Sequence, residues 1–298
     1  MVRSKSSGRR FDNKNSRGHA SGEKPSGSHR RSHSSSRPTS SSSLHSSSQS
    51  LPKGLRLVAG THAIFEVLKL SDQIGRDHSR DVLFVRQDAR SESLSEIQDS
   101  ARRLRIQIRE VSEQFLERIC FSHQGAVLAT EPAPELDLPV TLQRDRAQIL
   151  LLDGIEDPHN LGAILRTAWL VGVEGVICPS DRSVDLSPTV HKVACGGVEH
   201  VPVLRVQSFR ASIETLKEAG FWVFGLSHRA KQSLYQIKIP EKVVWVIGAE
   251  DKGMRSTTEA LCDELISLPQ TSPDASYNAS VSAAVVMFEG MRVQGFSK

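Results

Sequence analysis

The 298-residue chain has no run of eighteen apolar residues and no apolar segment behind its basic N-terminus, so neither a membrane helix nor a secretory signal is expected. Its four cysteines, Cys120, Cys178, Cys195 and Cys262, lie far apart without CxxC spacing. They read as small buried hydrophobes of a cytoplasmic, reducing compartment and not as a zinc site or a disulfide framework. No GxGxxG follows a strand candidate, which excludes a dinucleotide fingerprint. No GxxxxGK[ST] occurs either: Gly248 and Gly253 have that spacing, but Met254 stands where a phosphate-binding lysine belongs. His159, His191, His200 and His228 are isolated from other ligand types, so no metal is expected.

The first fifty residues are a different material from the rest. Nineteen are serine, and ten Lys/Arg stand against two Asp/Glu. Such a segment has too little apolar surface to offset its ordering entropy, and residues 1–52 are expected to be a disordered tail. Residues 51–298 carry a net charge of −4, so the basic balance of the chain, +4 overall, resides in the tail. An arginine-rich arm suits non-specific contact with phosphates; a solubility tail and a transit peptide are the other readings of the same composition.

Residues 53–131 read as a small α/β domain of βαβ-like material. Helices are expected at Thr61–Leu70, Ser93–Arg103 and Glu113–Ile119, with strands at Val82–Val85, Leu104–Ile108 and Ala126–Ala129. Arg102, Arg103, Arg105 and Arg109 cluster at one helix–strand corner, facing either nucleic acid or solvent. The Pro-rich, acidic EPAPELDLP predicts a stiff linker over about residues 132–142.

Residues 143–298 alternate apolar strands with amphipathic helices, the pattern of a mainly parallel sheet covered on both faces. Strands are expected at Gln148–Asp153, Gly175–Cys178, Val201–Val206, Phe221–Leu226, Val243–Gly248 and Leu265–Leu268. Helices are expected at Pro158–Val171, Ser187–Val193, Phe209–Ala219, Ser256–Leu261 and Ser280–Gly290. Three polar loops follow strands here. They are Asp157-Pro158-His159-Asn160, with Arg166 two turns beyond; Gly248 to Met254; and Leu268-Pro269-Gln270 through Ser276-Tyr277-Asn278. If the strands are parallel neighbours, the loops meet at one sheet edge, where open α/β sheets place ligands.

The segments DPHNLGAILRTAWLVGVEGVI, IGAEDKGM and ISLPQTSPDASYNASVSAA resemble the three motifs of the SpoU (TrmH-like) RNA ribose 2′-O-methyltransferases, members of the SPOUT superfamily. The likeness extends over residues 54–293 and includes GTHAIFEVL, HQGAVLA and HKVACGGVEHVPVLRV. Within the family it is similar to the bacterial enzymes that methylate a guanosine ribose of large-subunit ribosomal RNA. The resemblance implies an α/β SPOUT domain closed by a deep trefoil knot, behind a small RNA-binding domain of ribosomal-protein L30e type. It implies S-adenosylmethionine as cofactor, RNA as partner, and a homodimer in which each site borrows from the partner subunit. By motif position, Gly248, Leu268 and Tyr277 are the expected cofactor contacts, and Asn160, Arg166, Glu250 and Asn278 the expected catalytic residues. A transfer-RNA ribose methyltransferase and a silent RNA-binding assembly factor remain as alternatives.

The third motif departs from the family pattern. Pro-Met-x-Gly is Pro269-Gln270-Thr271-Ser272 here, and Ser-Leu-Asn is Ser276-Tyr277-Asn278. Loss of the glycine at Ser272 is expected to narrow or reshape the cofactor pocket.

Overall fold

The computed structural model describes residues 51–295 except 52, 89, 122, 273 and 274; the expected disordered tail lies outside the described residues. The first sheet is built from β1 (Arg56–Ala59), β2 (Val82–Arg86), β3 (Gln107–Val111) and β4 (Ala126–Thr130), with α1 (Thr61–Ile74), α2 (Glu92–Arg103) and α3 (Glu113–Ile119) between them. Its order is β1-β4-β2-β3. Only β2 and β3 run parallel, and β4 is antiparallel to both its neighbours, so the sheet is mixed and not a βαβ repeat. Residues Ile64, Val67 and Leu68 of α1 and Leu94 and Ile97 of α2 fill one face; Phe115 and Leu116 of α3 fill the other.

The strand expected from Leu104 begins three residues later, at Gln107. Arg105 takes the left-handed conformation that closes α2, at φ 57. The N–H of Ile106 reaches back to the carbonyl of Ala101 at 2.9 Å, and Ile106 tucks into the core. This is a glycine-type helix stop with an arginine in the glycine's place, which hides it from inspection of the residues.

The segment expected as a linker packs along the second sheet. Leu136 is buried against Gly175, and Asp137 caps a short helix, α4 (Leu138–Leu142), by accepting from the N–H of Val140 at 3.1 Å. The remaining elements are β5 (Ala147–Asp153), α5 (Pro158–Val171), β6 (Gly175–Pro179), α6 (Pro188–Ala194), α7 (Gly197–His200), β7 (Val203–Val206), α8 (Phe209–Glu218), β8 (Trp222–Leu226), β9 (Gln232–Ser233), β10 (Lys242–Gly248), α9 (Ser256–Glu259), β11 (Glu264–Ser267) and α10 (Ala279–Gln294).

The seven strands order as β7-β6-β5-β10-β8-β11-β9, with every neighbouring pair parallel. A sheet buried on both faces needs strands that are apolar throughout. Accordingly Leu150 and Leu152 point into the core under α5, α6 and α10, and Ile149 and Leu151 into the core under α8. Helix α10 runs past Gly290, where a helix end was expected, because that glycine lies over β5. A Cβ there would come within 2.1 Å of the side chain of Gln148, which itself accepts from the buried Trp245 indole at 3.1 Å.

The chain leaves β5 toward β6 and β7 on one side, and β10 lies against β5 on the other. Connections therefore diverge at the carboxyl ends of β5 and β10, which is the crevice where sheets of this kind receive ligands.

Candidate active site

Strand β5 ends in a turn with Gly154 at φ 86, after which Asp157 caps α5 by accepting from the N–H of His159 at 2.9 Å. Pro158 occupies the first helical position, where its missing N–H is no loss. One turn in, Asn160 is buried beneath the loop that follows β10. That loop folds back on itself through reciprocal bonds between Ala249 and Gly253, at 3.2 and 2.8 Å. Gly248 permits this return: a Cβ would sit 2.2 Å from the backbone of Gly253 and Met254. The glycine is thus required by the loop's own close packing.

Glu250 is the hub of the site. One carboxylate oxygen, Oε1, accepts from Asn160 Nδ2 at 3.0 Å, from the N–H of Ala279 at 3.1 Å, and from Asn278 Nδ2. Asn278 Nδ2 also donates to Asn160 Oδ1 at 2.9 Å, while Asn278 Oδ1 caps α10 by accepting from the N–H of Ser280 at 2.9 Å. A carboxylate at the N-terminus of a sixteen-residue helix is favoured by the helix dipole. Three loops separated in sequence are thereby joined; the Asn278 amide is fully engaged, whereas Asn160 Nδ2 uses one of its two hydrogens among the described residues.

Arg166 is not part of it. It is exposed on α5 and makes no hydrogen bond or ion pair with any described residue. It shares its face of α5 with Leu170, one turn on and 70% exposed.

Gly248, Leu268 and Tyr277 line a cleft of about 520 Å³. Its apolar floor includes Leu226, Ile247, Met254 and Ile266. The third loop is held by its own contacts: Gln270 Nε2 donates to the carbonyls of Ser272 and Ala275 at 3.0 and 3.1 Å, and the Tyr277 hydroxyl donates to the Pro269 carbonyl at 2.8 Å. Two departures from the family pattern, Gln270 and Tyr277, therefore fold this loop. The wall formed by Leu226 to Arg229, after β8, was not among the sequence candidates. Also missed was Asp153, whose buried carboxylate accepts from the N–H of Arg255 at 2.9 Å and pairs with its Nε at 2.7 Å. An acid ending a wholly apolar strand was the available signal.

Two thiols behave as core groups: burial pushes Cys178 up to about 11 and Cys262 up to about 12. Neither offers a nucleophilic thiolate near neutrality.

A seven-stranded parallel sheet with its polar cluster at the β5–β10 crevice defines an α/β enzyme fold of the doubly covered type. Residues 147–288 match the SpoU rRNA Methylase family, and residues 57–136 match the RNA 2′-O ribose methyltransferase substrate binding family. The chain is 37% identical over 243 residues to the 23S rRNA (guanosine-2′-O-)-methyltransferase RlmB of Vibrio cholerae, covering 79% of this chain and 96% of that one. It is 42% identical over 174 residues to the protein of the same name from Escherichia coli, covering 57% and 72%. Among solved structures, the SpoU methyltransferase AviRb from Streptomyces viridochromogenes aligns with a TM-score of 0.67 at 21% identity, over 81% of this chain and 90% of that one. The chain belongs to the SpoU rRNA methylase family.

Proposed function

We propose that this protein transfers a methyl group from S-adenosylmethionine to the ribose 2′-hydroxyl of a guanosine in large-subunit ribosomal RNA. The observation that carries this reading is the joining of Asn160, Glu250 and Asn278 at the rim of the cleft lined by Gly248, Leu268 and Tyr277. The V. cholerae relative of that stated activity is matched over nearly its whole length. A cleft of about 520 Å³ with an apolar floor and loop backbone at its rim suits an adenosyl group. S-adenosylmethionine would supply an electrophilic methyl there, with Gly248, Leu268 and Tyr277 as its contacts.

The chain's own residues position the acceptor. Asn160 is locked by Glu250 and Asn278, so its remaining Nδ2 hydrogen is fixed to hold the hydroxyl in line without reorganising, and Asn278 acts by setting that orientation. Arg166 is assigned the phosphate beside the target ribose: a guanidinium does not give up its proton in proteins, which removes it as a base. Glu250 keeps the loops together and takes no proton in this scheme. The hydroxyl proton leaves to water as the new C–O bond forms.

Arg166 lies outside its own subunit's cluster, and this favours a homodimer in which it serves the partner's site. Val281 and Phe288 stand outward on α10, 46% and 51% exposed, and Leu170 is exposed on α5. A dimer that covers them removes that surface from water. We further propose that the C-terminal segment of the chain threads a loop to close the family's trefoil knot, with β10 already seated between β5 and β8. Residues 53–131, in this reading, form the L30e-type domain that holds RNA beside the site, residues 132–142 connect it, and 143–298 form the methyltransferase. The enzyme would work in the cytoplasm, with its substrate.

Ribose-methylation mapping of ribosomal RNA from a strain lacking this gene tests the assignment. One guanosine of the large-subunit RNA is expected to lose its methyl group and to regain it on incubation with the protein and S-adenosylmethionine. An unchanged map, with no transfer in vitro, refutes the proposal.

A further inference from the structure

A second cleft, of about 290 Å³, opens between the turn after β5, Arg182 and the loop after β10. It shares Asn160 and Glu250 with the amide–carboxylate cluster, and the loop of residues 249–253 walls both it and the larger cleft. Whatever it holds therefore lies next to the groups assigned to the acceptor hydroxyl. Four charged side chains line it without a hydrogen bond or ion pair to any described residue: Glu156, Asp251, Arg182 and Lys252. Both signs are present, yet they do not neutralise one another. Arg182 is held at φ 52, a conformation side chains seldom adopt, and its loop is tied to the β5 turn where the N–H of Val184 donates to the Ile155 carbonyl at 3.1 Å.

A bare phosphate does not suit this lining, because carboxylates outnumber cations in it five to three. A ligand presenting donors on one edge and acceptors on another does. Among the RNA bases only guanine offers two adjacent donors, N1–H and the 2-amino group, matched to one carboxylate, together with O6 and N7 acceptors matched to a guanidinium. A base drawn out of its stack is read through these edges.

We infer that the second cleft is the base pocket of the acceptor nucleoside and selects guanine, with Glu156 and Asp251 facing the N1–H and 2-amino edge and Arg182 facing O6 and N7. The inference rests on the methyltransferase reading and adds to it the residues that choose the base.

The test uses the full-length protein and an RNA carrying the mapped site with guanosine, inosine or adenosine at the acceptor. Inosine lacks only the 2-amino group. Wild type is expected to prefer guanosine over inosine by at least about tenfold in kcat/KM, because a site built around a donor discriminates against its loss. Glu156→Gln and Asp251→Asn are expected to shrink that ratio about tenfold, whereas Arg182→Gln lowers guanosine and inosine alike. S-adenosylmethionine affinity, measured by calorimetry, is expected to stay unchanged in Glu156→Gln and Arg182→Gln, whose side chains line the second cleft and not the larger one. A guanosine-to-inosine ratio unaltered in both carboxylate variants overturns the inference while leaving the methyltransferase reading in place. A wild-type protein that methylates none of the three RNAs overturns the methyltransferase reading, and the inference with it.

Discussion

Arg56 of β1 donates two hydrogen bonds to Glu199 of α7, from Nη1 at 2.7 Å and from Nη2 at 2.6 Å, with both side chains nearly sealed from solvent at 11% and 5% exposure. Its Nε donates to the Glu131 carbonyl just past β4 at 2.7 Å, so one guanidinium joins two strands of the first sheet to helix α7. Nearby, Glu66 of α1 bonds His200 at 3.2 Å, and that imidazole stacks on Trp169 of α5 with ring centres 4.2 Å apart.

Removing one partner of a buried, bidentate pair strands the other charge. Arg56→Ala is expected to destabilise the protein by about 3–5 kcal/mol. Urea unfolding measures it. The apolar double variant Arg56→Met with Glu199→Leu is expected to recover most of the loss, since it leaves no unpaired charge.

His191 lies against that pair, and burial first, then the Arg56 charge, push it down to about 3. The folded state thus keeps His191 neutral at pH values where the unfolded chain, with an ordinary value of 6.5, takes up a proton. Its contribution is whole above pH 6.5 and is lost as pH falls below that value, by up to about 1.4 kcal/mol per pH unit. Chemical denaturation between pH 7 and 5 should show a slope that is shallower in His191→Gln than in wild type, by a difference that grows to about one proton at pH 5.

Glu250→Ala leaves the Asn160 and Asn278 amides without their shared acceptor. A stability loss of about 1 kcal/mol is expected, small because water reaches Glu250. Methyl transfer should fall far more, at least about a hundredfold, because the acceptor groups are no longer held. Equal losses in stability and rate, measured by urea titration and single-turnover kinetics, would contradict the role assigned to this hub.

Gly248→Ala places a methyl group into the backbone of the return loop. The loop must shift, at a cost of about 1–3 kcal/mol, and calorimetric titration should show weakened S-adenosylmethionine binding. Unaltered binding would mean that the loop can open without disturbing the cleft.

Arg166→Ala is expected to abolish methylation and leave S-adenosylmethionine affinity nearly intact. Mixing Arg166→Ala subunits with Asn160→Ala subunits should restore part of the activity, as each mixed dimer then contains one complete site. Phe288→Asp should yield monomers in analytical ultracentrifugation. A monomeric wild type, or mixtures as dead as their parents, would put Arg166 back in its own subunit's chemistry.

Much of the second sheet could be read locally. Asp157 and Pro158 start α5 and Gly172 stops it, so its bounds agree with the residue pattern. The apolar run 149–152 announces a strand buried on both faces. What escaped depends on neighbours remote in the chain. No local signal places β10 between β5 and β8, so the Leu226–Arg229 wall of the larger cleft went unnoticed. β1 was overlooked because its four residues acquire their role only by pairing with β4. Arg105 concealed a helix stop by standing where glycine is usual. At the site, motif spacing selected Asn160, Glu250 and Asn278, but that a single carboxylate oxygen joins them is a fact of three-dimensional packing.

Strand β10 pairs Lys242 with Ala147, and the hub is complete only when the N–H of Ala279 arrives. A nascent chain on the ribosome therefore holds β5 with one side unpaired while the 88 residues between Asp153 and Lys242 are made. Synthesis at about 5–20 residues per second turns that interval into several seconds of exposed strand edge. Helix α10 follows later still and brings the N–H of Ala279 to the hub, so the step that commits the molecule to activity comes after the one that closes its sheet.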